Sequence, residues 1–460
     1  MFKRRWLGVA LWVVLILCGL LACFVTATGL LAAREEAKLA RALAAIRRSG
    51  APTKFSQLAP PSIPDTENAA RVYEQAFRLL QVNEQEHDFL RDFNRLTPVP
   101  PEPAAFDRAR WLVDRNGAAL ALVERAAGMP RCAFPVDWNG APYAALYPHF
   151  AQLSKCAHLL AAKAILLARA GEAEAALQTC SAAFAVSESL ASEATVLSQL
   201  VRYGLIGAAY NSLASTLYDS HPSPALCMRL SEDLARIDVR PGFIAAVEGE
   251  RAAGLSTFDI IRNSRDPYRL LKTLGGEEGQ APSALTKPPP LYRRFLSPGV
   301  RFVSAVDELT YLRFMNKAVQ LAPLPYRDSR QQFASLEHEV DHLPGFPPRV
   351  VTGILLPDYS RMPLRRDAAA ARLGLAQVAL QLKAYRATHS AYPQSLSVLE
   401  QALAKPLPQD PFSARSFVYR RQGQGFLLYS WGPNLQDDRG VPPIGRTEAV
   451  EGDILFQCSR

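Results

Sequence analysis

The sequence predicts a mainly α-helical chain, with a transmembrane helix at its N-terminus and a small α+β unit at its C-terminus. Three observations carry that expectation. Residues Trp6 to Ala33 run for 28 positions without a charge. From Glu35 to Thr388 apolar residues recur at helical spacing, with hardly a convincing strand. After Tyr392 the apolar period falls from about 3.6 to about 2. Composition bounds the rest. Of 460 residues, 49% are hydrophobic and 21% charged, which excludes a wholly disordered or multi-span protein. Lys and Arg exceed Asp and Glu, 52 to 43, but the excess is spread along the chain and makes no nucleic-acid footprint.

Roughly 20 apolar residues cross a bilayer core, so the first run is long enough with some tilt. Lys3, Arg4 and Arg5 precede it, and the positive-inside rule then leaves the N-terminus in the cytoplasm. Residues 1–33 are thus expected to be a basic tip and a single span of the inner (cytoplasmic) membrane, with the lipid bilayer as partner. The bulk of the chain is expected to be periplasmic. Two alternatives stay open. Val25-Thr26-Ala27 offers a cleavage site, although the run is nearly twice the apolar core of a signal peptide. Leu20-Leu21-Ala22-Cys23 resembles a bacterial lipobox, which implies acylation of Cys23, although apolar residues continue to Ala33.

Residues 34–64 read as a juxtamembrane helix and then a linker. Leu39, Leu43 and Ile46 form one stripe, Gly50 stops the helix, and Pro52, Pro60, Pro61 and Pro64 stiffen the linker. Residues 65–360 read as an irregular, hairpin-rich helical domain. Asp65 is expected to cap a helix whose stripe runs Ala69, Val72, Tyr73, Ala76, Phe77 and Leu80. Thr97 to Pro103 is a second proline linker, Pro103 to Ala127 one helix, and Cys132 to Pro148 an aromatic, irregular loop. His149 to Ala170 and Glu172 to Ser192 make an alanine-rich pair about Gly171. The pair is similar to one tetratricopeptide hairpin, but no second copy occurs at the roughly 34-residue period, so an ordinary α-hairpin is favoured. Helices are expected over Thr195–Tyr218, Pro224–Ile237, Gly242–Ser264, Gly299–Leu321 and Leu324–Val340. Leu274–Pro290 reads as a loop, Leu343–Pro348 as a break, and Val350–Leu356 as a short apolar segment.

Residues 364–460 change pattern. A long helix, Arg365–Thr388, precedes three strands at Phe417–Arg420, Phe426–Trp431 and Asp453–Gln457, with Gln422-Gly423-Gln424-Gly425 as a turn. That is a complete small unit, one helix on a three-stranded antiparallel sheet. Its punctuation runs Ala391-Tyr392-Pro393-Gln394-Ser395-Leu396, then Leu407-Pro408-Gln409-Asp410-Pro411-Phe412. Tyr429-Ser430-Trp431-Gly432-Pro433-Asn434 comes next, then Asp437-Asp438-Arg439-Gly440, and Asp453-Ile454 closes the series. In that order these pieces resemble the globular domain of type II secretion major pseudopilins, which are type IV pilin-like proteins. The resemblance implies a structural calcium in the loop between the last two strands, held by Ser430, Asn434, Asp437, Asp438 and backbone carbonyls. It covers Arg365 to Cys458. No Gly-Phe-like processing site or early Glu stands beside Trp6–Ala33, so the resemblance implies the fold of the small domain rather than pilus assembly. The helical body is similar to membrane-anchored exported bacterial proteins sharing this C-terminal unit, which implies no activity.

One motif points to catalysis. His338-Glu339-Val340-Asp341-His342 matches H-E-x-x-H, in which two histidines on one helix face hold zinc and the Glu serves as general base. Pro344-Gly345 ends the helix at once, and the nearest downstream acid, Asp358, lies among prolines. An ordinary solvated charged face is the favoured reading. His149 and His158 stand nine apart, which is core rather than ligand spacing. Nucleophile-elbow, Walker and dinucleotide motifs are missing from the sequence. Cys18 and Cys23 lie in the anchor, while Cys132, Cys156, Cys180, Cys227 and Cys458 lie outside it. With no C-x-x-C, buried free thiols are expected. The function expected is that of a non-enzymatic, secretion-associated envelope protein that scaffolds or binds other envelope proteins. The alternative is a zinc-dependent hydrolase using His338, Glu339 and His342.

Overall fold

The computed structural model describes residues 2–95, 102–264, 290–342, 349–356, 361–441 and 452–458. It is mainly helical, with a small three-stranded antiparallel sheet near the C-terminus and an apolar helix at the N-terminus. The expected loop over Leu274–Pro290, the break over Leu343–Pro348 and most of the linker over Thr97–Pro103 lie outside the described residues.

Helix α1 (Phe2–Arg48) is one unbroken rod. The sequence suggested an anchor and then a separate helix, but nothing between Ala33 and Arg34 breaks helical geometry. Along Trp12–Leu31 its large apolar side chains are exposed, and it is long and apolar enough to cross a membrane. A single 3₁₀ turn at Phe55–Leu58 interrupts the proline-rich stretch. Both of its end residues are buried and the Phe55 amide donates to Ser256, so this stretch is docked rather than a free linker.

The next helices are α2 (Ala69–Leu79), α3 (Glu84–Phe93), α4 (Pro103–Arg115) and α5 (Gly117–Ala127). Asn68, rather than Asp65, caps α2, its amide oxygen accepting from Ala70 and Ala133. Pro103–Ala127 is two helices, because the Asn116 side chain bonds Gln81 and the Leu112 carbonyl in competition with the helical ladder. Helices α6 (Pro148–Arg169) and α7 (Ala173–Glu188) form the alanine-rich hairpin, turning on Gly171 at φ +82°. After them come α8 (Val196–Asp219), α9 (Pro224–Ala235), α10 (Arg240–Asn263), α11 (Pro290–Leu321), α12 (Tyr326–Asp341) and α13 (Val350–Leu355).

Helix α14 (Met362–His389) is buried along most of its length, against α8 and α9 and against the sheet. A short α15 (Leu396–Leu403), not among the elements expected from the sequence, comes next. Strands β1 (Val418–Gln422), β2 (Gly425–Ser430) and β3 (Ile454–Cys458) pair in sequence order, Val418 opposite Tyr429 and Ser430 opposite Ile454. Every residue of β2 is buried. One continuous apolar core runs from Ala69 in α2 through Leu375 in α14 to Phe456 in β3. A second core joins α10, α11 and α12 through Phe243, Phe258, Tyr311, Phe314 and Phe333. A third seats Leu39 and Ile46 of α1 against Leu255 and Leu312.

Candidate functional site

A buried polar cluster lies at the start of α8. Thr195 caps the helix, its hydroxyl accepting from the Ser198 amide at 3.1 Å. Ser198 Oγ donates to Glu193 Oε2 at 2.7 Å, and the Val196 amide donates to Glu250 Oε1 at 3.1 Å. His149 Nε2 stands 3.0 Å from Glu193 Oε1, and its ring stacks on Phe134 at 4.3 Å. Burial pushes the Glu250 carboxyl up. The set combines a hydroxyl, an imidazole and two carboxylates, but Ser198 bonds the carboxylate and not the imidazole. Nucleophilic activation needs the hydroxyl on the base. Ser198 and Glu193 are also sealed from solvent, so the geometry fastens α6, α8 and α10 together. His158 is likewise a packed histidine, beside His87, and burial pushes it down to about 3.

His338 and Glu339 in the last turn of α12, and His342 just past its end, are exposed to solvent. The His338 and His342 rings stack at 4.0 Å, and His342 Nδ1 turns back to the His338 carbonyl at 2.9 Å. Glu339 is taken by Lys317 Nζ at 3.0 Å. No group of three His, Cys, Asp or Glu side chains stands ready to hold a metal among the described residues. A tetrahedral zinc site needs a third protein ligand. Among the described residues the hydrolase alternative therefore finds no assembled centre.

The loop after β2 separates the four residues expected to hold calcium. Ser430 is buried, and its hydroxyl donates to Asp410 Oδ1 at 2.7 Å, away from the loop. Asn434 donates its amide to Asp438 Oδ2 at 2.7 Å, and Asp437 Oδ1 accepts from the Tyr429 hydroxyl at 2.9 Å. Calcium takes six to eight oxygens. Asp437 Oδ1 and Asp438 Oδ2 are each engaged by a protein donor and Ser430 turns to Asp410, so among the described residues these four side chains form no assembled oxygen cage. The buried carboxylates of the region are two others. Asp410 gathers Ser430, the Trp431 amide and the Phe412 amide. Asp453 accepts from Gly440 at 2.7 Å and from Asp438 at 3.4 Å. Burial, and secondarily Asp438 and Asp437, push Asp453 up to about 6. The Asp-Pro turn and the Asp-Ile pair were legible as motifs, but nothing in their spacing gave these partners.

Burial also pushes the thiols of Cys132, Cys156 and Cys227 up to about 12, so each stays a poor nucleophile. A cleft of about 480 Å³ lies between α5, α6 and α7, lined by Ala175, Ala182 and Ala185 and edged by the Lys163–Glu124 ion pair. It has no buried titratable group aimed into it. In comparisons with protein-family models, curated proteins and solved structures, none matched this chain.

Proposed function

We propose that this chain is a single-pass protein of the cytoplasmic membrane, N-terminus inside, whose extracytoplasmic part scaffolds or binds other envelope proteins rather than catalysing a reaction. The observation that carries this reading is the continuity of α1. One helix is apolar and exposed over Trp12–Leu31 and then packs through Leu39 and Ile46 into the body. Such a rod holds the body at a fixed height above a bilayer. The polar clusters support a binding role, since their groups are spent on capping and docking helices. The resemblance of the C-terminal unit to pseudopilins favours a secretion-associated setting, supported by the sequence of long helix and three antiparallel strands.

Carbonate extraction and protease treatment of spheroplasts test the anchor. Retention in the membrane, with the body digested from outside, is the expected result. Release of a soluble chain starting near Thr28 would overturn it. Glu339→Gln tests the hydrolase alternative, since a scaffold keeps its partners and its fold unchanged while a zinc hydrolase loses turnover.

A further inference from the structure

The sheet has two edges, and they differ. The strand order β1-β2-β3 leaves β1 and β3 outside. Strand β3 lies against α8, where the Tyr210 hydroxyl donates to the Leu455 carbonyl at 2.6 Å. On β1 the last three residues, Arg420, Arg421 and Gln422, are exposed. Its hairpin turns on two residues, with Gly423 at φ +55° and Gln422 opposite Gly425. In such a hairpin the closing pair is hydrogen-bonded, and bonded and non-bonded pairs alternate from there. Gln422 and Arg420 therefore bond to β2, while the N–H and C=O groups of Tyr419 and Arg421 point away from it. Among the described residues no hydrogen bond reaches those outward groups.

An edge of this kind is a template for a further strand, and its charge selects what can pair. Arg386 lies over Tyr392 at 5.0 Å, Arg415 over Trp431 and Arg420 over Tyr429, each at 5.7 Å. Among the described residues neither these three nor Arg421 makes an ion pair, and Arg420 reaches Asp437 only through the Tyr429 hydroxyl. In the helical body Arg71, Arg115 and Arg202 are all paired with carboxylates. Antiparallel pairing of two copies about Arg420 and Arg421 would set arginine against arginine, so the edge that repels its own copy attracts an acidic one. Tyr419 shares a face with Arg421. Its ring is half-buried near Phe426, and its hydroxyl donates to the Pro393 carbonyl at 2.8 Å. We propose that β1 is a docking edge for an extended acidic segment of a partner protein, which adds a strand beside Tyr419–Gln422. Two adjacent acidic residues of that segment meet Arg420 and Arg421 on the two faces, and an apolar residue next to them covers Tyr419. This deepens the binding role proposed above and rests on it.

The test uses the full chain in nanodiscs and a phage-displayed library of random short peptides. Selection is expected to enrich peptides with adjacent acidic residues beside an apolar one. Fluorescence anisotropy of a selected peptide then separates strand pairing from loose charge attraction. N-methylation of one alternate set of its amides should abolish binding, and methylation of the other set should spare it, because a paired strand turns only alternate amides to its partner. That result needs no change to the protein's own fold. Arg421→Pro removes an outward N–H while keeping the ladder to β2, and binding should be lost. Arg420→Glu with Arg421→Glu should weaken the acidic peptide by about tenfold or more and select basic peptides in its place. No enrichment, or enrichment without acidic residues, overturns the proposal. So do peptides that tolerate both methylated sets, or that bind Arg421→Pro as well as the natural chain. A dimer of the chain that Arg421→Pro dissociates overturns it too, by giving the edge to a second copy. None of these outcomes touches the scaffold reading, which fails instead if a turnover is found that Glu339→Gln abolishes.

Discussion

The hydroxyl of Tyr210 on α8 donates a 2.6 Å hydrogen bond to the carbonyl of Leu455 on β3, joining the helical body to the sheet across 245 residues. The Tyr210 ring also meets Phe456 edge-on at 5.5 Å. Burial pushes the hydroxyl's pKa up, so it stays a donor. Tyr210→Phe keeps the ring and removes the donor to a half-buried carbonyl, at a cost of about 1 kcal/mol. Denaturant unfolding of the detergent-solubilised chain should show that loss in one transition that carries helix and sheet signals together. A change confined to a separate, minor transition would mean that the sheet folds on its own.

Arg366 closes the second interface of α14. It bonds Asp367 at 2.7 Å and the carbonyls of Ala322 and Leu324 at 2.6 and 2.7 Å, with its guanidinium over Phe243. Asp367 in turn accepts from the Tyr326 amide at 2.6 Å. The pair thereby fixes the turn between α11 and α12. Arg366→Met fills similar space but leaves a buried carboxylate and two carbonyls without their donor. Removing one member of such a pair costs about 3–5 kcal/mol. The same unfolding measurement checks it, and a loss under about 1 kcal/mol would show that water takes over the role of the guanidinium.

These two contacts show where sequence reading reaches and where it stops. An uncharged run made the N-terminal apolar helix legible, and periodicity made most of the helices and the three strands so, because burial writes itself into spacing. It missed the Asn116 break and the Asn68 cap, since a side chain that competes with the backbone leaves no periodic trace. The calcium set shows a related limit. Ser430, Asn434, Asp437 and Asp438 are neighbours along the chain, yet Ser430 belongs to β2 and answers to Asp410 from another turn. The H-E-x-x-H spacing put two histidines on one face, as expected, but spacing says nothing of a wall to supply the third ligand.

Two glycines of the helical body should respond with opposite signs. A Cβ at Gly204 in α8 meets nothing nearby, whereas one at Gly254 in α10 overlaps the ring and hydroxyl of Tyr311. Gly204→Ala should stabilise by up to about 1 kcal/mol through helix propensity alone. Gly254→Ala gains the same propensity but displaces a buried ring whose hydroxyl bonds the Glu250 carbonyl at 2.7 Å. Overpacking of this kind costs about 1–3 kcal/mol, so the net effect is destabilising. Equal and positive shifts in both variants would mean that Tyr311 yields freely.

Asp453 gives a pH signature. Its folded carboxyl titrates at about 6, above the ordinary value of 3.8. Below that ordinary value the folded and unfolded chains both hold the proton, and the contribution of Asp453 is complete. As pH rises through about 6 the contribution is lost, because the unfolded chain ionises first; above that the loss is constant. The melting temperature of the natural chain relative to Asp453→Asn should therefore fall across this window and run flat on either side. Calcium at about 5 mM, above the affinities of extracellular calcium modules, should leave the profile unchanged. A calcium-dependent rise above pH 6 that disappears in Asp437→Ala would instead show that the loop closes on the ion.

The burial of α14 decides whether the C-terminal unit stands alone. Its leucines and alanines are covered on one side by the sheet and on the other by α8 and α9, with Leu373, Leu375, Leu380 and Leu382 all in the continuous core. Cutting the chain before Met362 strips the α8 and α9 side. It also removes Tyr210, and it leaves Gln381, whose amide donates to Ser231 at 2.9 Å, without that partner. Exposed apolar area costs about 25 cal/mol per Å², and a helix face of this kind far exceeds what a sheet of three short strands restores. A fragment of residues 362–460 should thus bind hydrophobic dyes and unfold without a cooperative transition, while the full chain unfolds sharply. A sharp transition in the fragment would mean instead that the sheet side of α14 suffices, and that the helical body has been laid onto an autonomous domain.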